Sequence, residues 1–199
     1  LSANQFNKIQ NFKDQNNNIS DIEISNNTLY IGYKTGLVCQ LNNQNLNTIY
    51  VSSRMKPIHF ANQPKENTLF FITDRSLLKY DGVLNTILSN IPIGKRMKFI
   101  NDTTLCYSGS YGIHSLLPKI NSIKYKLDNT YDFDMYKEYL MLGTRNGLYQ
   151  YVDDKRTKIM NKRINRLTVI NGTLFIGTHG DGLYLYNVNN QLKRLNSDQ

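Results

Sequence analysis

Leu167-Thr168-Val169-Ile170-Asn171-Gly172-Thr173-Leu174-Phe175-Ile176-Gly177-Thr178-His179-Gly180-Asp181-Gly182-Leu183-Tyr184-Leu185-Tyr186 is a series of short apolar runs cut by turns. The runs are rich in β-branched and aromatic side chains, which suit a pleated, half-buried surface. Asn171-Gly172 marks a tight hairpin, because a primed turn needs positive φ at both central residues and Asn-Gly tolerates it best. Beyond an Asn-rich turn, Leu192-Lys193-Arg194-Leu195 supplies one more run. Nothing in the stretch has helical period, so it predicts four antiparallel strands.

The same phrase returns along the chain. Its copies are Leu29-Tyr30-Ile31-Gly32, Leu69-Phe70-Phe71-Ile72, Leu105-Cys106-Tyr107-Ser108, Leu140-Met141-Leu142-Gly143 and Leu174-Phe175-Ile176-Gly177, with steps of 40, 36, 35 and 34 residues between leucines. Each is followed by a second phrase: Gly36-Leu37, Ser76-Leu77, Gly112-Ile113, Gly147-Leu148 and Gly182-Leu183. Asn26-Asn27, Glu66-Asn67 and Asn101-Asp102 stand where Asn171-Gly172 stands in the last copy.

A unit this short cannot bury its own hydrophobic face, so the period itself calls for stacked copies. Four strands per unit, repeated five times, predict an all-β chain of β-propeller blades, in which each blade covers its neighbour. The expected units are 19–52, 53–89, 90–127, 128–162 and 163–199, forming one propeller segment. Residues 1–18 are expected to give a strand that either closes the last blade or ends a preceding one, and an open, partial propeller is the preferred reading. The glycine closing the second strand is explained by close backbone approach between blades. Ile72 and Ser76 in copy two, and Ser108 and Pro118 in copy three, suggest less regular blades.

The chain has 199 residues, 40% hydrophobic and 20% charged, enough for a core but polar for its length. No apolar run approaches the roughly 18 residues that would span a bilayer. The opening Leu1-Ser2-Ala3-Asn4-Gln5 lacks the order of a secretory signal, leaving either a cytosolic protein or one whose leader is gone. Net charge is +9, concentrated at Lys155, Arg156, Lys158, Lys162, Arg163 and Arg166. Such a run reads first as a solvated outer strand and turn guarding a sheet edge. Without interleaved aromatic residues it gives little support to nucleic-acid binding, which is not expected. Cys39 and Cys106 lie in separate apolar strands and read as free, buried thiols.

Leu140 to Tyr151 and Leu174 to Tyr186 resemble two-component regulator propeller repeats, whose unit runs Leu-Trp-Ile-Gly-Thr, a short turn, Gly-Leu, then Tyr-Asp. Leu29-Tyr30-Ile31-Gly32-Tyr33 resembles the start of that unit and Leu78-Lys79-Tyr80-Asp81-Gly82 its end. The chain departs from it in having no Trp; Tyr, Phe, Cys or Met takes that slot. The resemblance implies the periplasmic sensor region of a membrane-bound hybrid histidine kinase that detects fragments of complex carbohydrates.

Ligand residues are expected on the turns between second and third strands: Tyr33 and Lys34, Asp74 and Arg75, Ser110 and Tyr111, Arg145 and Asn146, and His179 and Asp181. Arg, Asp and Asn offer directed hydrogen bonds to a polyol and Tyr offers a flat apolar face. His59, His114 and His179 fall in different copies without acidic residues at metal-ligand spacing, so neither a metal nor a cofactor is expected. Asp132 and Asp134 flank Phe133 on one alternating strand and are expected to pair with Lys and Arg. Nucleophile-elbow, phosphate-loop and zinc-helix motifs are missing, so this segment is read as non-catalytic. The expected partners are an oligosaccharide, neighbouring blades or domains of the same receptor, and a second copy. A protein-interaction scaffold or a small propeller lyase or hydrolase are the alternatives.

Overall fold

Asn171 and Gly172 carry φ angles of 48° and 72°, and Asn26 and Asn27 carry 50° and 57°, so both pairs make the primed hairpin turns their sequence favours. Asn101 works differently: its side-chain oxygen accepts from the Thr103 and Thr104 amides at 3.0 and 2.7 Å, an Asx turn in place of a primed one. Around such turns the chain folds as an uninterrupted series of antiparallel strands. The computed structural model describes residues 18–195 except 43–44, 53–55, 67, 74, 92–93, 118–122, 127–128, 154, 188 and 190. The expected N-terminal strand, Asp74 and Pro118 lie outside the described residues.

Blade 1 comprises β1 (Ile19–Ser25), β2 (Thr28–Tyr33), β3 (Leu37–Asn42) and β4 (Asn45–Val51). Blade 2 comprises β5 (His59–Gln63), β6 (Thr68–Thr73), β7 (Ser76–Tyr80) and β8 (Leu84–Leu88). Blade 3 is formed by β9 (Arg96–Phe99), β10 (Leu105–Gly109), β11 (Gly112–Ser115) and β12 (Ile123–Lys126). Blade 4 has β13 (Thr130–Tyr136), β14 (Tyr139–Thr144), β15 (Gly147–Val152) and β16 (Lys155–Met160). Blade 5 has β17 (Ile164–Ile170), β18 (Thr173–Thr178), β19 (Leu183–Tyr186) and β20 (Leu192–Leu195). Each sheet is a simple meander of four consecutive strands, and copies two and three build the same sheet as the others.

The first strands β1, β5, β9, β13 and β17 each lie against the next and line a common axis, while the fourth strands face outward. Successive blades enclose separate apolar cores. Blades 1 and 2 share Tyr30, Val38, Ile58, Phe60, Leu69 and Phe71; blades 2 and 3 share Phe70, Leu77, Met97, Leu105 and Tyr107. Blades 3 and 4 share Cys106, Ile113, Phe133, Leu140 and Leu142; blades 4 and 5 share Met141, Leu148, Ile164, Leu167, Leu174 and Ile176. The slot that takes Tyr30, Phe70, Cys106 and Met141 in place of Trp therefore faces the following blade.

The small residue closing β2 and β14 is a steric requirement of that stacking. A Cβ on Gly32 would stand 2.7 Å from the Ile58 Cβ, and one on Gly143 would stand 2.6 Å from Ile164 Cγ2. Cys39 and Cys106 are buried, and neither forms a disulfide among the described residues. Lys155, Arg156 and Lys158 lie exposed on the outer strand β16, whereas Arg166 belongs to the inner strand β17.

Candidate functional site

The residue opposite the small position on each inner strand is ionisable in every blade: Asp21 faces Gly32, His59 faces Ile72, Arg96 faces Ser108, Asp132 faces Gly143 and Arg166 faces Gly177. Because strand side chains alternate, the residue two positions on shares that face. A second tier follows, made of Glu23, Ala61, Lys98, Asp134 and Thr168. Two tiers thus ring the axis, polar at every position except Ala61.

The aspartates tie one blade to the next. Asp21 Oδ2 accepts from the Phe60 amide at 3.1 Å, and Asp132 Oδ2 accepts from the Leu167 amide at 2.9 Å. Asp132 is wholly buried and completes its coordination with the Phe133 amide at 2.9 Å, Lys98 at 3.4 Å and Arg166 Nε at 3.7 Å. Lys98 reaches three acceptors: Asp134 at 3.0 Å, Asp132, and the Leu167 carbonyl at 2.8 Å. Two of its ammonium protons are thereby donated to protein groups, with Asp132 as an additional ion-pair partner. Asp134 also accepts from the Met135 amide at 2.9 Å, so the expected pairing of both aspartates with basic residues is observed.

Other groups are not matched. Arg96 gives one contact, Nη1 to Asp21 Oδ1 at 3.4 Å, and the Nη atoms of Arg166 make no hydrogen bond among the described residues. Among the described residues Glu23 accepts only from the Ile24 amide, through Oε1 at 3.3 Å. His59 Nδ1 is buried without a hydrogen bond among the described residues, 3.9 Å from Asp21 Oδ2.

These strands enclose an axial cavity of about 290 Å³ lined by residues from all five blades, among them Glu23, Asn62, Arg96, Lys98, Asp134 and Arg166. That volume is close to the lower end of the roughly 300–1,000 Å³ typical of small-ligand sites. Burial pushes the Glu23 carboxyl above the ordinary range, with Asp21 adding to the rise and the Ile24 amide and Arg166 opposing it. Burial likewise pushes His59 down to about 4, against the pull of Asp21 and with help from Arg96 and Arg166. Arg96 is lowered by burial and then by Arg166, more than Asp21 raises it. Two guanidinium groups therefore feel each other across the axis.

The described turn residues expected to bind ligand lie elsewhere, and none of them lines the axial cavity. The Lys34, Arg145 and His179 amides donate to the Asn18, Asn129 and Arg163 carbonyls, which sets these turns beside the entries of their own inner strands. Lys34, Arg75, Arg145, Asn146 and His179 are exposed, as is Tyr111 at 65%. Tyr33 is only 3% exposed and clusters with Ile31 and Cys39; burial pushes its hydroxyl up to about 12. Asp181 pairs with Lys162 at 2.6 Å, and His179 Nδ1 lies 3.4 Å from Asn165 Nδ2. Beside these entries Tyr131 has Lys95 Nζ 3.9 Å and the Arg163 guanidinium 4.9 Å from its ring centroid, a cation–π pairing from blades 3 and 5 on a blade 4 ring. Among the described residues no group of His, Cys, Asp and Glu has metal-holding geometry.

No family model matches the chain, and none of the curated proteins does. Solved structures do. The extracellular domain of a proposed hybrid two-component system of B. thetaiotaomicron superposes with a TM-score of 0.73 at 20% identity, covering 92% of this chain and 28% of that one. A second such extracellular domain from the same organism gives 0.66 at 16% identity, over 89% of this chain and 30% of that one. The WD40 β-propeller domain of Doa1 gives 0.69 at 12% identity, over 92% of this chain and 69% of that one. The fold is thus a β-propeller arrangement, and the chain spans less than a third of the two-component extracellular domains it resembles.

Proposed function

We infer that this chain is part of the extracellular sensor region of a two-component receptor, in which it binds a small ligand and takes no part in catalysis. The observation that carries the reading is the axial cavity, where five inner strands bring together charged groups whose hydrogen-bonding capacity is only partly filled among the described residues. Unmatched polar groups in a cleft are the usual mark of a binding site, because burying them without partners costs stability. The likeness to two extracellular two-component domains supports the signalling role and an extracellular or periplasmic location.

A carbohydrate fragment is the proposed signal, and the cavity is of monosaccharide scale. Calorimetry with a panel of neutral and acidic sugars, alongside a transcriptional reporter driven by the intact receptor, tests it. Saturable binding that tracks the reporter response is expected; uniform silence in both sinks the sensor reading. A protein-interaction scaffold is the second reading, favoured by the apolar groups exposed on the last blade, with Leu183, Leu192 and Leu195 each more than a third exposed. In that case a neighbouring domain or a second copy covers this face, and the sugars leave the melting temperature unchanged.

A further inference from the structure

We propose that the axial cavity binds a small carboxylate which also carries a hydrogen-bond donor, a hydroxyl or an ammonium, beside its acid group. The inference rests on the reading of this cavity as a ligand site and names the chemistry of what it takes.

The argument is a balance of donors and acceptors. Lys98 donates to Asp134 and the Leu167 carbonyl and pairs with Asp132. Asp21, Asp132 and Asp134 each take a backbone amide as well as a cation. What remains only partly matched among the described residues is the Arg96 guanidinium on β9, with one bond to Asp21, the Nη atoms of Arg166 on β17, and one oxygen of Glu23 on β1. All three residues line the same cavity.

The Arg96 and Arg166 guanidinium groups line one cavity, and the positive charge of Arg166 is unfavourable to that of Arg96. A carboxylate between them offsets this, and its two oxygens match the planar fork of an arginine as no neutral group does. Glu23 sets the other half of the specificity. A ligand carrying only an acid group would leave it unsatisfied, whereas a neighbouring hydroxyl or ammonium donates to the free Oε2. Hydroxy acids, amino acids and acidic sugars share this pairing.

The test is calorimetric titration of the chain with D-glucuronate, L-lactate and glycine, and with D-glucose as the neutral control. At least one of the three acids is expected to bind about tenfold or more tightly than glucose, with the affinity falling as salt rises. Which acid binds identifies the source of the carboxylate. Arg166→Gln is expected to weaken that acid about tenfold, Arg166→Lys less, and Glu23→Gln a few-fold while leaving the fold intact. Should Arg166→Gln fail to fold, the Arg166→Lys and Glu23→Gln pair decides alone. Glucose binding as tightly as the acids, no binding of any acid up to about 10 mM, or affinities unmoved by these substitutions would overturn the proposal. A receptor that answers a neutral sugar regardless of Arg166→Gln sinks the carboxylate and leaves the sensor role standing. Carboxylate binding in the cavity with no receptor response does the reverse.

Discussion

Blades 4 and 5 carry almost the same phrase, yet its residues meet different surroundings. In blade 4, Met141, Gly143 and Leu148 point at blade 5, and Met141 and Leu148 have no exposed surface. In blade 5 the counterparts are Phe175, Gly177 and Leu183. Phe175 is half-buried, Leu183 is 38% exposed, and the atoms nearest a Cβ on Gly177 all belong to Arg166 of the same sheet. The phrase therefore encodes a fit to a following blade, and only a following blade makes that fit matter. The axis repeats the contrast: Asp132 hooks the Leu167 amide, while Arg166, its counterpart, reaches back to Asp132.

The largest expected effect breaks the hook. Asp132→Ala leaves the buried Leu167 amide without its acceptor, takes a buried anion away from Lys98 and Arg166, and should cost about 3–5 kcal/mol in denaturant unfolding. Arg166→Ala, whose side chain is half-exposed, should cost less than about 1 kcal/mol. Equal losses would mean that the axial ion pairs do not hold blade 4 to blade 5.

Next comes the apolar pair. Leu148→Ala should lose about 2–5 kcal/mol and Leu183→Ala well under half of that, read as a difference in melting temperature. If Leu183→Ala proves the costlier, the far face of blade 5 is covered in solution, and sedimentation equilibrium should then show a second copy.

Gly143→Ala sharpens the comparison further, because its new methyl meets the branched, fixed side chain of Ile164. A loss of about 1–3 kcal/mol is expected. Gly177→Ala, with Arg166 Cβ at 3.4 Å, should stay within about 0.5 kcal/mol.

The smallest effect concerns His59, which occupies in blade 2 the position of Asp132 and Arg166. Its folded pKa of about 4 lies below the ordinary 6.5, so the unfolded chain binds the extra proton first as pH falls. Stability contributed by the neutral ring is thus present above pH 6.5 and is lost as pH falls toward 4. His59→Gln should flatten the melting temperature over that window, and an unchanged slope would show that His59 does not set it.

The fold was legible because its determinants recur within a single copy: the leucine, the small residue, the turn and the second glycine can be read without knowing where any neighbour lies. The axial tiers obey the same period, since an ionisable residue returns at Asp21, His59, Arg96, Asp132 and Arg166. That regularity was in plain view, but its chemistry was not. Asp132 takes its partners from β9 and β17, and no single strand reveals which of its faces looks at the axis. A turn position does not by itself expose a side chain, and Tyr33 differs from the other turn residues because the last residue of β2 tucks its ring beside Cys39. The Asn101 turn departs from its sequence position for a local reason, namely a side chain that caps two amides by itself.

The meander order of the sheets bears on how the chain acquires its shape. Every described sheet is completed by strands drawn from one contiguous stretch, so no half-made sheet must wait for a distant strand. Pairings of short sequence separation form early and quickly. A ribosome emitting this protein releases one finished leaf after another, each offering a template for the one behind it.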